Sequence, residues 1–284
     1  MRFSLKWAAT ALFSSLAFVM PASAAVYNLG GATGAGSLWS FDGPNLAAYR
    51  AAITDPANFG PAGTIAKTIN TVDVASVSPA SLAGLNGFIV PWTADSFYTA
   101  SQQNDLKNFL LSGHDLFILQ DDPAHDPIGA LLGIPTVSNS TSTINNGTAP
   151  FYAGPFGNAA NVNQGGAFGT LNAADVAAAL GHVASTNASG QITGAYWGDG
   201  EYAPGAGRLV IITDVDMIST AYGLANYSPL NDNGRFALNI TAFLVDSAPP
   251  PVGPGNVPLP AAIWLGVAVG PMVVAARKRK AVKA

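Results

Sequence analysis

The sequence predicts an α/β domain, and three observations carry that expectation. Short, almost wholly apolar runs have the length of buried strands: Gly87 to Trp92, Asp115 to Leu119 and Arg208 to Thr213. Between and after them, apolar residues recur three and four apart, as on one face of a helix. Residues that start or stop helices stand at the junctions, Gly113 after one and Asn231-Asp232-Asn233-Gly234 before another.

The elements follow in chain order. Leu46, Tyr49 and Ile53 suggest a first helix, followed by a strand over Thr64 to Thr71. The buried strand at Gly87 leads to a helix from Ser101 to Leu111, whose apolar face carries Leu106, Phe109 and Leu110. After the strand at Asp115 comes a short helix over Ile128 to Leu132. Val137 to Thr170 is polar and rich in Asn and Gly, and reads as loops or a small hairpin. Helical spacing returns at Val176, Leu180 and Val183. The strand at Arg208 precedes a last helix that buries Phe236, Ile240, Phe243 and Leu244, at i, i+4, i+7 and i+8. Gly30-Gly31-Ala32-Thr33-Gly34-Ala35-Gly36 lacks the spacing of a nucleotide-binding loop and reads as a flexible N-terminal stretch.

Both ends have the composition of targeting segments. Residues 1–24 form a signal peptide: Arg2 and Lys6 give the positive start, Trp7 to Met20 the apolar stretch, and Ala22-Ser23-Ala24 the small–x–small site for signal peptidase, with cleavage before Ala25. The folded body is then 25–246. A proline-rich linker occupies 247–256, and Val257-Pro258-Leu259-Pro260-Ala261 opens a segment, 257–284, that is uncharged to Ala276 and ends in Arg277-Lys278-Arg279-Lys280. Ala261 to Ala276 would make a helix roughly 24 Å long, slightly short of a ~30 Å hydrocarbon core. The basic cluster would stay cytoplasmic, leaving the body outside.

This three-part tail resembles the PEP-CTERM/VPLPA-CTERM sorting signals, and Val257 to Ala261 matches the VPLPA variant letter for letter. The resemblance implies a Gram-negative host, processing by an exosortase, and a transmembrane helix that holds the protein until it reaches the surface or extracellular matrix. It also implies association with exopolysaccharide.

The body resembles class I glutamine-amidotransferase-like domains in two segments, Leu85 to Pro135 and Gly207 to Asp246. The resemblance implies a flavodoxin-like three-layer sandwich. Enzymes of that fold carry a nucleophilic Cys near where Gln120-Asp121-Asp122-Pro123 stands, and a His-x-Glu pair near Asp214-Val215-Asp216. The chain has no cysteine, and no imidazole fills the second place, so glutamine hydrolysis by that mechanism is excluded on this alignment.

Charge excludes other classes. Seven of the 12 basic residues lie in the terminal segments, so five remain in the body against all 16 acidic ones, a net of −11. Such a surface repels nucleic acid and attracts cations. The absence of cysteine also removes disulfides and thiolate metal sites.

Asp121, Asp122, His125 and Asp126 form the densest group of ligand-type side chains. In a parallel sheet Asp121 and Asp122 lie at the carboxyl end of one strand, and Asp214 and Asp216 at that of another. This is the edge where open α/β sheets bind ligands. Asp121, Asp122, Asp214 and Asp216 are therefore the candidate metal ligands, of a type that suits Ca²⁺ or Mg²⁺; the bland reading is that they cap turns. Asp199 and Glu201, among Trp197 and Tyr202, form a second pairing of carboxylates with rings that could bind sugar or act as acid and base, though an exposed glycine-rich turn explains it as well. His114 and His182 stand alone. Asn139, Asn146, Asn187 and Asn239 begin Asn-x-Ser/Thr sequons of little weight in a bacterial-type protein. No catalytic residue is singled out. The favoured reading is a non-enzymatic, exported surface module that binds a glycan, a cation or another matrix component; the rival is a metal-dependent hydrolase.

Overall fold

The structure, a computed structural model, describes residues 25–34, 37–139, 144–148, 150–166 and 169–246. The elements in the first part of the chain are β1 (Ala25–Ala32), α1 (Ala47–Thr54), β2 (Lys67–Val74), α2 (Pro79–Leu82), β3 (Gly87–Val90), α3 (Ala100–Leu111) and β4 (Asp115–Leu119). The middle holds β5 (Thr136–Asn139), β6 (Ile144–Gly147), the hairpin β7 (Ala153–Gly154) and β8 (Gly157–Asn158), β9 (Val162–Asn163), and β10 (Gly169–Leu171). Then come α4 (Ala173–Ala178), β11 (His182–Asn187), β12 (Ile192–Trp197), β13 (Leu209–Ile212) and α5 (Asp232–Val245).

The main sheet runs β2-β1-β3-β4-β13-β12-β11-β6-β9. Its first five strands are mutually parallel, and from β13 onward each neighbour is antiparallel. The result is a mixed α/β fold. Alternation along the strands sends Phe117, Leu119, Val210 and Ile212 to one face, packed with residues of α1 and α5. Leu116, Ile118, Leu209 and Ile211 go to the other, with residues of α2, α3 and α4. Two cores with a sheet between them make three layers.

The best-read elements are those with a clear cap. Thr99 accepts from the Gln102 amide, and the Gln102 side chain returns the bond, so α3 begins on a capping box. The Asn231 side chain accepts from the Gly234 amide at 2.9 Å and starts α5. Phe236, Ile240 and Leu244 of that helix are buried, and Phe243 is packed against the same core.

Four expectations need correction. Ala25–Ala32 is a strand between β2 and β3 rather than a flexible stretch, because Gly30 and Gly31 let Leu85, Phe88 and Phe41 pack against the backbone: a Cβ on Gly31 would sit 2.2 Å from the Phe41 ring. The expected helix through Val183 ends at Ala178. Leu180 is 71% exposed in a left-handed turn, φ 61°, and Val183 lies in β11. Ile128 to Leu132 forms turns, since Gly129 is pressed against Gln120 and Asp126, where no side chain fits. Much of Val137 to Thr170 is strand, anchored by buried Phe151, Tyr152 and Val162. The β7–β8 hairpin is pinned to α5 by buried Asn239, which accepts from the Phe156 amide and donates to the Phe151 and Gly157 carbonyls.

Residues 1–24, 247–256 and 257–284, including the sorting motif at Val257, Pro258, Leu259, Pro260 and Ala261, lie outside the described residues. Among the described residues no helix is long and apolar enough to cross a membrane.

Candidate functional site: an aromatic, acidic cleft

The chain passes from β1 through α1 to β2 on one side, then crosses back to β3 on the other. The connections leaving β1 and β3 therefore diverge, and a crevice opens at the carboxyl ends of these strands, where α/β sheets bind ligands. The loops after β1, β3, β4 and β13 fill its rim. The second residue beyond three of these strands repeats one pattern: Trp92 after Val90, Asp121 after Leu119 and Asp214 after Ile212. Trp39 comes from the loop after β1.

These loops enclose a cavity of about 240 Å³, walled by Trp39, Trp92, Asp121, Asp216 and Tyr222, with Asp122, His125 and the backbone of Gly165 and Gly166 at its margin. Each indole N–H holds one carboxylate. Trp92 Nε1 donates to Asp121 Oδ2 at 2.8 Å, and Trp39 Nε1 donates to Asp216 Oδ1 at 2.7 Å. The two indoles lean together, with centroids 5.6 Å apart and planes at 55°. The other face of this cluster is closed by His125, stacked on Trp92 at 4.2 Å. Asp122 sets that stack: its Oδ1 accepts from the Ala124 amide at 2.7 Å and lies 3.0 Å from His125 Nδ1.

Asp214 lies beneath the cleft. It is fully buried, and it accepts from the amides of Asp216 and Gly165 at 2.7 and 2.8 Å, so it ties the loop carrying Gly165 to the end of β13. Asp216 accepts a second bond from Ser219 Oγ at 2.6 Å. Burial is the main force on these acids. It pushes Asp121 up to about 8, against the Trp92 bond and helped by the charges of Asp216 and Asp122. It raises Asp214 well above the usual carboxylate range, with Asp121 and Asp216 adding repulsion. Asp216 rises for the same first reason, moderated by its Ser219 and Trp39 bonds. Of the carboxylate oxygens of these acids, Asp121 Oδ1 is buried without a hydrogen-bond partner among the described residues.

Tyr222 stands at the mouth, 69% exposed and with φ 54° and ψ 13°. A non-glycine residue in the left-handed region is strained and persists only where its surroundings impose it. Its ring lies over Gly165 and Gly166, and a Cβ on Gly165 would come within 2.9 Å of it.

The structure thus gathers Asp121, Asp122 and Asp216 at one rim, with Asp214 below, as the sequence suggests. It does not assemble them into an ion cage. Among the described residues no three His, Asp or Glu side chains are placed to hold a metal ion. Asp121, Asp122, Asp214 and Asp216, the candidate Ca²⁺ or Mg²⁺ ligands, thus share one edge of the sheet, held mainly by amide, indole and hydroxyl donors. Asp126 is structural: it accepts from the Thr136 amide at 2.7 Å and from Gln120 Nε2.

Asp199 and Glu201 sit elsewhere. Trp197 pairs with Leu209 at the start of β13, so the turn that follows it lies at the opposite, amino edge of the sheet. Trp197 is wholly buried, Asp199 pairs with Arg208 at 3.2 Å, and Glu201 faces His182 at 3.1 Å. No open aromatic platform forms there among the described residues. His114 also lies at the amino edge, stacked on Phe109 at 4.4 Å, and burial lowers its pKa.

The fold and this cleft together define a mixed α/β domain with an aromatic, acidic cleft and, as the chain has no cysteine, no thiol nucleophile. No family model and no curated protein matches the chain. Among solved structures it is similar to the mmIFT52 N-terminal domain, at 12% identity over 83% of this chain and 100% of that one, with a TM-score of 0.52. It matches more loosely a ThuA-like protein from Bacteroides uniformis ATCC 8492 (10% identity, 79% and 91% of the two chains, TM-score 0.47). It also matches the cytoplasmic protein STM3548 from Salmonella typhimurium (10%, 78% and 98%, 0.45). At these identities the likeness is one of fold, carried by the first of the three, and says nothing of activity.

Proposed function

We propose that this chain is an exported, exosortase-sorted surface protein whose α/β domain, an amidotransferase-like scaffold without the catalytic thiol, binds carbohydrate in the cleft of Trp39 and Trp92. The observation that carries the binding reading is the composition of the wall. Two indoles and a strained, exposed tyrosine line a small cavity together with the carboxylates of Asp121, Asp122 and Asp216. Sugars present an apolar C–H face and a ring of hydroxyls, and such a site offers an aromatic surface to the first and acceptors to the second. The cavity is large enough for one or two sugar residues, not for an extended chain. The indole–carboxylate bonds hold the wall in place before any ligand arrives, which lowers the ordering cost of binding.

Export and sorting rest on the terminal segments read from sequence. The amidotransferase-like scaffold rests on the two matching sequence segments and on a three-layer arrangement of the expected kind. A non-catalytic role is favoured by what stands after β4: Gln120, buried and bonded to Asp126, and Asp121, held by Trp92, rather than an exposed nucleophile.

The test is retention of the full-length chain in gels containing soluble polysaccharides. Retention by at least one polysaccharide that falls in Trp39→Ala and Trp92→Ala, but not in Asp199→Asn, supports the reading. Equal retention of all four proteins sinks it.

A further inference from the structure

We propose that the saccharide held in this cleft, granted that it binds saccharide at all, is a basic amino sugar whose ammonium group sits against Asp121 and Asp216. Three independent features point to a cation.

The first is the cavity's own balance of donors and charge. Asp121, Asp122 and Asp216 line it together with uncharged residues and His125; no Lys or Arg does. The acids are met there by neutral indole, hydroxyl and amide donors, so no cation of the protein is there to balance them when they ionise. Asp121 spends Oδ2 on Trp92 and keeps a buried Oδ1 with no partner among the described residues. Asp216 receives Trp39 and Ser219 on Oδ1, while its Oδ2 faces Gly165 and Gly166. A neutral hydroxyl could satisfy these acceptors one at a time. An ammonium supplies three donors and the missing charge at once.

The second is the aromatic wall. The faces of Trp and Tyr attract cations as well as apolar surface. Tyr222 is fixed over the mouth by a backbone that it would not adopt unaided.

The third is the rest of the domain. The five basic residues of the body all have partners in the fold: Arg50 with Asp73, Arg208 with Asp199 and Arg235 with Asp232, while Lys67 and Lys107 donate to the Val245 and Leu131 carbonyls. With a body net charge of −11, the field around the domain draws in a positively charged polymer and repels an acidic one.

Burial raises both acids above the usual range, and for Asp121 the charges of Asp216 and Asp122 add to it. A cation arriving beside them favours ionisation, so its binding releases protons. A neutral sugar has no such effect.

The experiment is calorimetric titration of the full-length chain at pH 6 with three β-1,4-linked tetrasaccharides: of glucosamine, of N-acetylglucosamine and of glucose. Runs in two buffers of different protonation enthalpy count the protons released. We expect the glucosamine form to bind at least ten-fold more tightly than either neutral form, with proton release and an affinity that falls with salt. Asp121→Asn and Asp216→Asn should each erase the preference, whereas the exposed acids changed in Asp55→Asn and Asp73→Asn should leave it intact. If those remote changes weaken binding as much as Asp121→Asn does, the attraction belongs to the whole surface and the proposal is overturned. If neutral sugars bind equally well and lose binding in Trp92→Ala, the amino-sugar proposal fails while the carbohydrate reading stands. If no tetrasaccharide gives heat and the gels show no retention, both fail.

Discussion

Changing Asp121 to asparagine removes a buried carboxylate while keeping its shape and the oxygen that accepts from Trp92 Nε1. In the unfolded chain this acid ionises near 3.8, and in the fold burial moves it to about 8. Between these values the folded chain holds a proton that the unfolded chain has released. The stability tied to Asp121 is therefore fully present below about pH 4 and is lost as pH rises towards 8. At ~1.36 kcal/mol per unit, the shift sets a ceiling on the order of 5 kcal/mol. The cleft is open at its mouth, so water enters and solvates the charge in part, and about half that value is expected. The asparagine side chain does not titrate. Urea unfolding at pH 4.5, 6.5 and 8.5 should show the variant gaining ~2–3 kcal/mol on the wild type across the range, most of it between pH 4.5 and 6.5. A difference between the two proteins that stays constant with pH would refute the burial of this acid and the electrostatics drawn from it.

Other expectations follow from the same structure. Asn239→Ala leaves the Phe156 amide and the Phe151 and Gly157 carbonyls without their partner; it should cost about 2–4 kcal/mol in urea unfolding, and a loss under ~1 would show that the hairpin is not held this way. Millimolar Ca²⁺ or Mg²⁺ should not raise the melting temperature beyond the effect of equal ionic strength, since the acids form no ion cage; a saturable rise abolished by Asp121→Asn would restore the ion site. N-terminal sequencing of the exported protein should begin at Ala25, and deletion of Val257 to Ala284 should release a folded body to the periplasm or medium; aggregation of the truncated chain would contradict the reading of the tail as a separate sorting segment.

The strands and helices legible in the sequence are those with unambiguous local chemistry. β3, β4 and β13 are buried on both faces and read as apolar runs. Helices α3 and α5 begin at side chains that cap them. β1 is hidden because its glycines, which suggest flexibility, serve close packing by Phe41 and Leu85. Strands β5, β6 and β9 are hidden because their Asn- and Gly-rich sequences bury few large side chains, and tertiary contacts outweigh propensity there. The acidic half of the site is legible, since Asp121 and Asp214 follow strands that end visibly. The aromatic half is not. Trp92 reads as the end of its strand, and nothing local links Trp39 to Asp216, 177 positions away. A usable signal does exist: in three strands the second residue past the carboxyl end supplies the cleft or its floor.

Whether saccharide sits between Trp39, Trp92 and Tyr222 at the carboxyl edge of the sheet is tested most directly by a crystal structure of the protein soaked with an oligosaccharide that it retains. A sugar ring packed on Trp39 or Tyr222, with a polar group bonded to Asp121 Oδ1, is the expected result. A sugar bound instead at the amino edge, beside Asp199 and Glu201, with the cleft unchanged, would contradict it.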